Sequence, residues 1–232
     1  MSTSVIIPAY NEELRLGEFL ETIQAFLEQK PNSINQLLII DDGSTDKTVA
    51  IAQQYKKSIP VIQVLKHEHN QGKGGAVKTG VMAAREEFII FTDADGATPI
   101  TELPKMKDAL KENDIAIGNR WMPGAKTERH SPLRALSGWT YRTYMKTFGL
   151  GEIDTMCGFK GYRHDVAKKL FASLQEKRWL FDTEIAYKAV RGNYTIKNFP
   201  IEWESKDGSK LDTATLIKSA LQIYPLIQKL KK

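Results

Sequence analysis

Phe88-Ile89-Ile90-Phe91-Thr92-Asp93-Ala94-Asp95 decides how this chain folds. An apolar run of this length reads as a buried strand, and strands buried on both faces belong to parallel sheets covered by helices. Such a strand delivers the residues after it to the carboxyl edge of the sheet, where open α/β sheets bind their ligands. Here those residues include a pair of carboxylates, Asp93 and Asp95, with Ala94 between them. They make a place for a hard divalent cation, Mg2+ or Mn2+, and such a cation suits a diphosphate. Asp-x-Asp alone also occurs in solvated surface turns. Its surroundings favour the ligand reading: the run Ser4 to Pro8 leads into Pro8-Ala9-Tyr10-Asn11-Glu12, and Gln36 to Asp41 leads into Asp41-Asp42-Gly43-Ser44-Thr45-Asp46. Three polar clusters at three strand ends point to one crevice.

The remaining pattern agrees with that start. Apolar residues at helical spacing run from Glu13 to Gln29, Thr45 to Lys57, Gly74 to Arg85 and Ile100 to Lys111. They alternate with strands predicted at Val61 to Leu65, Glu87 to Thr92 and Ile115 to Gly118, which implies right-handed crossovers and a largely parallel α/β sheet flanked by helices. Beyond Arg120 the glycines and prolines from Pro123 to Gly158 cut the chain into shorter pieces. The last segment, Thr213 to Lys232, has an apolar helical face with a basic margin, and Pro225 predicts a kink or break. That helix packs on the core or lies on an anionic membrane surface.

The 232 residues suffice for one substantial core, and 41% hydrophobic with 26% charged residues describes an ordinary globular chain. The net charge of +5 would suit an anionic partner, but no clustered basic stripe or recognisable module supports nucleic-acid binding. The single Cys157 rules out an intrachain disulfide and a cysteine-based zinc site, fits a reducing compartment, and reads as a small buried hydrophobe. The first residues enter a strand at once, so no signal peptide is expected, and no run reaches the roughly 20 apolar residues of a membrane span.

Each candidate residue has a chemical and a structural reading. Asp42 is placed to accept hydrogen bonds from a nucleobase or ribose, whereas Ser44, Thr45 and Asp46 suit helix capping. Asn70-Gln71-Gly72-Lys73-Gly74-Gly75 opens a helix without being a Walker loop or a dinucleotide fingerprint. Lys73 at that helix start suits an anion, and the glycines suit close packing. Arg120, Arg129, Arg134 and Lys210 are candidates for gripping phosphate. Asp182 and Glu184, in Trp179-Leu180-Phe181-Asp182-Thr183-Glu184, read as helix-start carboxylates or as a general base. A base is needed for a hydroxyl acceptor but not for a phosphate monoester, whose second pKa near 6 leaves it largely dianionic.

Together the segments Val5 to Glu12, Asp41 to Asp46, Asn70 to Gly74 and Asp93 to Asp95 resemble the family 2 glycosyltransferases of GT-A fold. Asp93-Ala94-Asp95-Gly96-Ala97-Thr98-Pro99, Gly118-Asn119-Arg120, Asp154-Thr155-Met156-Cys157-Gly158-Phe159-Lys160, Trp179-x-Phe181-Asp182-x-Glu184 and Gly208-Ser209-Lys210 extend the resemblance to dolichyl-phosphate glucosyltransferases and polyprenyl-phosphate sugar synthases. The resemblance implies a Rossmann-like, mixed and mostly parallel sheet. It also implies a metal-dependent inverting transfer of a hexose, with UDP-glucose the favoured donor, to a polyprenyl or dolichyl phosphate. GDP-mannose as donor, or a soluble or polysaccharide hydroxyl as acceptor, are the alternatives. By position, Pro8, Tyr10, Glu12 and Asp42 would bind the nucleoside, with Lys73 nearby; Asp93 and Asp95 would hold the metal and diphosphate. Arg120, Arg134 and Lys210 would gather phosphates, and Asp182 completes the catalytic set. One domain, 1–232, is expected, with a nucleotide-sugar half 1–120 and an acceptor half 121–232 ending in the basic amphipathic helix. Met156 stands where the family pattern has Gln. The expected location is cytoplasmic, peripheral on a membrane through that helix or through the aromatic and basic stretch Trp139 to Phe148.

Overall fold

The computed structural model describes residues 1–128, 132–206 and 213–231; within the helices, the side chains of 132–137, 139 and 213–220 lie outside the description. The apolar runs form β1 (Thr3–Ala9), β2 (Gln36–Asp41), β3 (Ile62–Lys66), β4 (Phe88–Thr92) and β5 (Ile115–Asn119), all at the expected places. Helices α1 (Leu16–Gln29), α2 (Thr48–Gln54), α3 (Lys73–Ala83) and α4 (Leu103–Glu112) connect them. The helix expected from Ile100 begins instead as a 3-10 turn, Ile100–Glu102, and becomes α-helical only at α4, where Pro104 sits in the first turn. A proline is tolerated there because the amide it lacks has no helical partner anyway.

The second half supplies a short β6 (Lys126–Glu128), α5 (Pro132–Lys146), β7 (Phe159–Arg163), α6 (His164–Ala172), α7 (Phe181–Arg191), β8 (Ile196–Pro200), β9 (Glu202–Glu204) and α8 (Thr213–Leu230). The main sheet runs in the order β3-β2-β1-β4-β7-β5-β8. Its pairs are parallel except where β7 lies antiparallel between β4 and β5. β5 therefore does not continue the sheet beside β4, as simple alternation implies. The insertion decides where the site forms: Thr92 pairs with Phe159 and Ile117 with Lys160, so the segment entering β7 and the residues leaving β4 and β5 meet at one edge. β1, between β2 and β4, brings the strand ends at Ala9 and Asp41 to the same edge.

Alternating side chains send Val5 and Ile7 to one face, with Phe19, Leu20, Ile23 and Met106 from α1 and α4, and Ile6 to the other, with Val77, Phe171, Phe181 and Ile223. Each face is thus closed by helices, and the strands carry apolar residues on both sides. α8 stays helical through Pro225. The amide that proline lacks would have bonded to the carbonyl of Leu221, an exposed residue at which water can stand in, while Ile223 and Ile227 on either side are buried against the core. The packing reading of this helix therefore holds for that face, although Leu221 and Tyr224 remain 73% and 58% exposed. Tyr141, Tyr144 and Phe148 likewise pack against the core. Among the described residues no helix is long and apolar enough to cross a membrane.

Candidate active site

The end of β1 is tied to the end of β2 by short polar contacts. Asn11, in the left-handed region at φ 50°, donates its amide to Ser44 Oγ, and its side-chain oxygen accepts the amide of Thr45. Asp46, expected to cap α2, stands one residue before its N-cap Lys47 and accepts the amide and hydroxyl of Thr48, the first residue of the helix. Ser44 and Thr45, expected to cap as well, instead join the two loops.

Asp42 is buried, and its carboxylate is largely committed within the protein. Oδ1 accepts the Gln71 amide at 2.8 Å and lies 2.7 Å from His67 Nδ1, while Oδ2 accepts the Gly72 amide at 2.8 Å. His67 Nε2 in turn lies 2.9 Å from Thr79 Oγ1. Asp42 thereby fixes the turn that launches α3. Gly72 has φ +90°, and a Cβ on it would stand 2.5 Å from the Lys177 carbonyl, so the close-packing reading of this glycine segment holds, against the loop before α7. The Gly75 amide is spent on that same carbonyl, which removes one of the donors an anion would use at this helix start.

Lys73, the first residue of α3, reaches across to place Nζ 2.5 Å from Asp93 Oδ1 and 5.7 Å from the ring centre of Trp179. Burial works against its charge, but Asp93, then Asp182, overcome this and raise its pKa. Asp95 accepts the Ala97 amide at 3.0 Å, and burial followed by the charge of Asp93 pushes its carboxyl upward. Arg15 Nη1 lies 3.8 Å from Asp95 Oδ2, and Glu12 holds Arg15 through Nε at 2.8 Å and Nη2 at 2.7 Å. Glu12, Arg15 and Asp95 therefore link the β1 end to the Asp-x-Asp segment. Ala94 is buried between the two aspartates, Pro8 is partly buried, and Tyr10 is exposed at the rim. A Cβ on Gly158 would fall 2.0 Å from Asp93 Oδ2, so only glycine lets the loop before β7 approach that carboxylate.

Arg120 leaves β5 and forks onto Asp154, with Nε to Oδ2 and Nη2 to Oδ1 both at 2.8 Å and its own amide to Oδ2 at 3.2 Å. Trp203 lies under the guanidinium at 5.0 Å. Burial opposes the charge on Asp154, but Arg120 outweighs it and holds the carboxyl below the usual range. Two of the five guanidinium N–H groups are used in this fork. Lys160, on β7, is almost wholly buried, yet it is charged-group neighbour to Asp182 Oδ1 at 3.1 Å, donates to the carbonyls of Thr155 and Cys157, and lies over the Phe91 ring at 5.4 Å. Among the described residues Asp182 Oδ1 has no aligned hydrogen bond despite that contact, and burial pushes the Asp182 carboxyl up to about 6. Cys157 is buried as expected, its thiol pushed up to about 12 by burial.

Glu184 is fully buried and accepts the amides of Gln175 and Glu176 and the ammonium of Lys188, so it braces the loop that carries Trp179. Asp182 is buried as well, beside Lys160, and also feels the charges of Lys73 and Asp93. Arg142 donates to the Gly151 carbonyl. Arg129 and Lys210 lie outside the described residues, as does the side chain of Arg134 on α5. Sequence reasoning missed Arg15, Lys160, His67 and Trp179 as parts of the site. Arg15 was findable as the residue three after Glu12, and Lys160 and Trp179, like Asp154, stood in quoted motifs without a role.

Among the described residues no group of three or more His, Cys, Asp or Glu gathers around a common point. The donor set at Asp93 and Asp95 nevertheless fits Mg2+ or Mn2+, which keep several waters and are held through one or two carboxylates plus substrate phosphates. The upward push of Asp95 by its neighbour's charge is the repulsion a cation relieves.

Residues 4–171 match the family described as glycosyl transferase family 2. The chain is 38% identical over 226 residues to the dolichyl-phosphate beta-glucosyltransferase of Drosophila melanogaster, covering 91% of this chain and 69% of the relative. It is 34% identical over 232 residues to the Saccharomyces cerevisiae protein of the same name, covering 91% and 69%. Among solved structures, glucosyl-3-phosphoglycerate synthase from Mycobacterium tuberculosis, in complex with Mn2+, UDP and glucosyl-3-phosphoglycerate, matches with a TM-score of 0.72 at 17% identity, over 98% of this chain and 79% of that one. Mannosyl-3-phosphoglycerate synthase from Rubrobacter xylanophilus matches with 0.71 at 16% identity, over 100% and 76%. Those two likenesses concern the fold, which is GT-A. With its strand ends gathered at one sheet edge, its sheet order and these matches, the chain belongs to glycosyl transferase family 2.

Proposed function

We propose that this chain is an inverting glucosyltransferase that moves glucose from UDP-glucose to the phosphate of a dolichyl or related polyprenyl phosphate, working at the cytoplasmic face of a membrane as one domain. The observation that carries the reading is the convergence of Asp93, Asp95, Lys73 and Arg120 at one sheet edge, a set of charges suited to a diphosphate. The identity to dolichyl-phosphate beta-glucosyltransferases supports the choice of sugar and acceptor.

The acceptor determines the chemistry. A phosphate monoester is largely a dianion at neutral pH, so its oxygen attacks the anomeric carbon without prior loss of a proton. The new C1–O bond forms on the face opposite the old one, whose electron pair leaves with UDP, and the configuration at C1 inverts. Negative charge grows on the departing diphosphate. Lys73 and Arg120 stand ready to take it, and groups fixed in advance stabilise such charge without reorganising. Mg2+ or Mn2+, held by Asp93 and Asp95, would supply further charge neutralisation on the diphosphate. Pro8, Tyr10 and Glu12 border the nucleoside, Asp42 shapes the loop beside it, and Arg134 and Lys210 assist at the phosphates.

A second reading rests on Asp182. A buried carboxyl pushed up to about 6 by burial, beside Lys160, has the pKa of a general base, which a hydroxyl acceptor requires. Radiolabelled UDP-glucose incubated with purified protein and polyprenyl phosphate separates the two. Label that extracts into organic solvent supports the lipid-phosphate reading; label transferred only to a water-soluble hydroxyl acceptor supports the second.

A further inference from the structure

We infer that Lys73 is an exchangeable counter-ion of Asp93: the ammonium and a divalent cation compete for one carboxylate, so the cation binds tightly only together with a nucleoside diphosphate, whose phosphates take over Lys73. The inference rests on the reading that a divalent cation and a nucleoside diphosphate share this crevice.

The geometry sets the competition. Lys73 Nζ lies 2.5 Å from Asp93 Oδ1. A small cation seated on that oxygen at about 2.1 Å would lie within about 5 Å of the ammonium, and two positive charges so placed repel. Arg15, a second cation within ion-pair distance of the aspartate pair, is in a different situation. It lies 3.8 Å from Asp95, and Glu12 holds its Nε and Nη2 at 2.8 and 2.7 Å, so it is anchored to a partner of its own. Among the described residues, Asp93 is the carboxylate within ion-pair distance of Lys73.

The pair is also built to open. The Lys73 and Asp93 side chains are 21% and 34% exposed, so an incoming phosphate reaches both. A lysine ammonium is a compact charge on a flexible four-carbon stem, able to move while its backbone stays. That backbone is pinned on both sides, by the Gly72 amide on Asp42 and the Gly75 amide on the Lys177 carbonyl. The Trp179 ring, 5.7 Å from Nζ, offers a face that attracts the ammonium as it turns. Linkage then makes the effect reciprocal: UDP tightens the cation by the same factor as the cation tightens UDP.

The test measures Mn2+ binding by its electron paramagnetic resonance signal, first alone and then with UDP, in the wild type, Lys73→Met and Lys73→Arg. Lys73→Met is expected to bind Mn2+ alone about tenfold more tightly, a factor within ordinary coupling. The factor by which UDP tightens Mn2+ should shrink correspondingly, and Lys73→Arg should keep the wild-type order. Mn2+ bound equally or more weakly by Lys73→Met overturns the inference, and so does an undiminished effect of UDP. Lys73→Gln provides the same measurement if Lys73→Met fails to fold by circular dichroism. Mn2+ binding alone involves neither glucose nor acceptor. A protein with the Lys73 effect that moves no glucose to polyprenyl phosphate therefore refutes the proposed function and leaves the competition standing.

Discussion

After β4 the charged pair of Asp93 and Lys73 is open to solvent, whereas around β7 the charged groups turn into the protein. Asp93 and Lys73 make one contact that solvent reaches; Lys160 and Asp182, 1% and 9% exposed, sit among carbonyls and aromatic rings. The difference separates two tasks. Open pairs can exchange partners with a ligand, and closed pairs hold the loops that frame it. Asp154 shows the second task, since the residue that grips Arg120 belongs to the segment whose carbonyls bind Lys160.

The sharpest way to break this division is Lys160→Met. Removing one member of a buried ion pair typically costs about 3–5 kcal/mol, and replacing both with apolar residues is far less costly. Urea denaturation should therefore show a large loss for Lys160→Met that Lys160→Met/Asp182→Leu partly restores. At the open end the ranking reverses: Asp95→Asn should reduce kcat/KM roughly 10²–10³-fold, the scale for losing a charge-stabilising group, while its melting temperature stays near wild type. Equal damage to stability in both variants would erase the distinction. Gly158→Ala lies between the two regions, because its Cβ would collide with Asp93; a cost of about 1–3 kcal/mol is expected from overpacking, together with lost transfer.

Titration sharpens the comparison further. Asp182 has a raised native pKa, so the unfolded state releases its proton first and stability from this group falls as pH rises from about 4 to about 6, then stays level. Asp154 has the opposite sign: its contribution is present above about 4 and is lost as pH falls through its lowered native value. Subtracting the stability profile of Asp182→Asn from that of the wild type should isolate the first window. The smallest effect is expected for Leu221→Glu on the exposed face of α8, within about 0.5 kcal/mol, since nothing buried is touched.

The open region was the legible one. Uninterrupted apolar runs such as Gln36 to Asp41 mark parallel strands directly, and the polar residues after them mark the edge where ligands bind. β7 was not read as a strand because Phe159-Lys160-Gly161-Tyr162-Arg163 carries a lysine and a glycine at its centre. Its lysine is tolerated inside only because Asp182, far along the chain, arrives to meet it. The same limit explains Asp42. Its place after a strand suggested a ligand contact; the partners it has within the protein, His67 and the Gln71 and Gly72 amides, come together only through folding. Pro225 shows the converse, since packing by Ile223 and Ile227 carries the helix across a residue that local preference would use to end it.

Thermal unfolding of the wild type, Asp93→Asn and Asp95→Asn across a titration of UDP with Mn2+ bears most directly on the claim that the β4 carboxylates hold the donor's diphosphate. A ligand at 100 times its Kd adds about 2.7 kcal/mol to the native state, so the wild type should melt several degrees higher with UDP and Mn2+ together. Both variants should lose most of that rise. A rise of equal size in Asp93→Asn and Asp95→Asn would contradict the account.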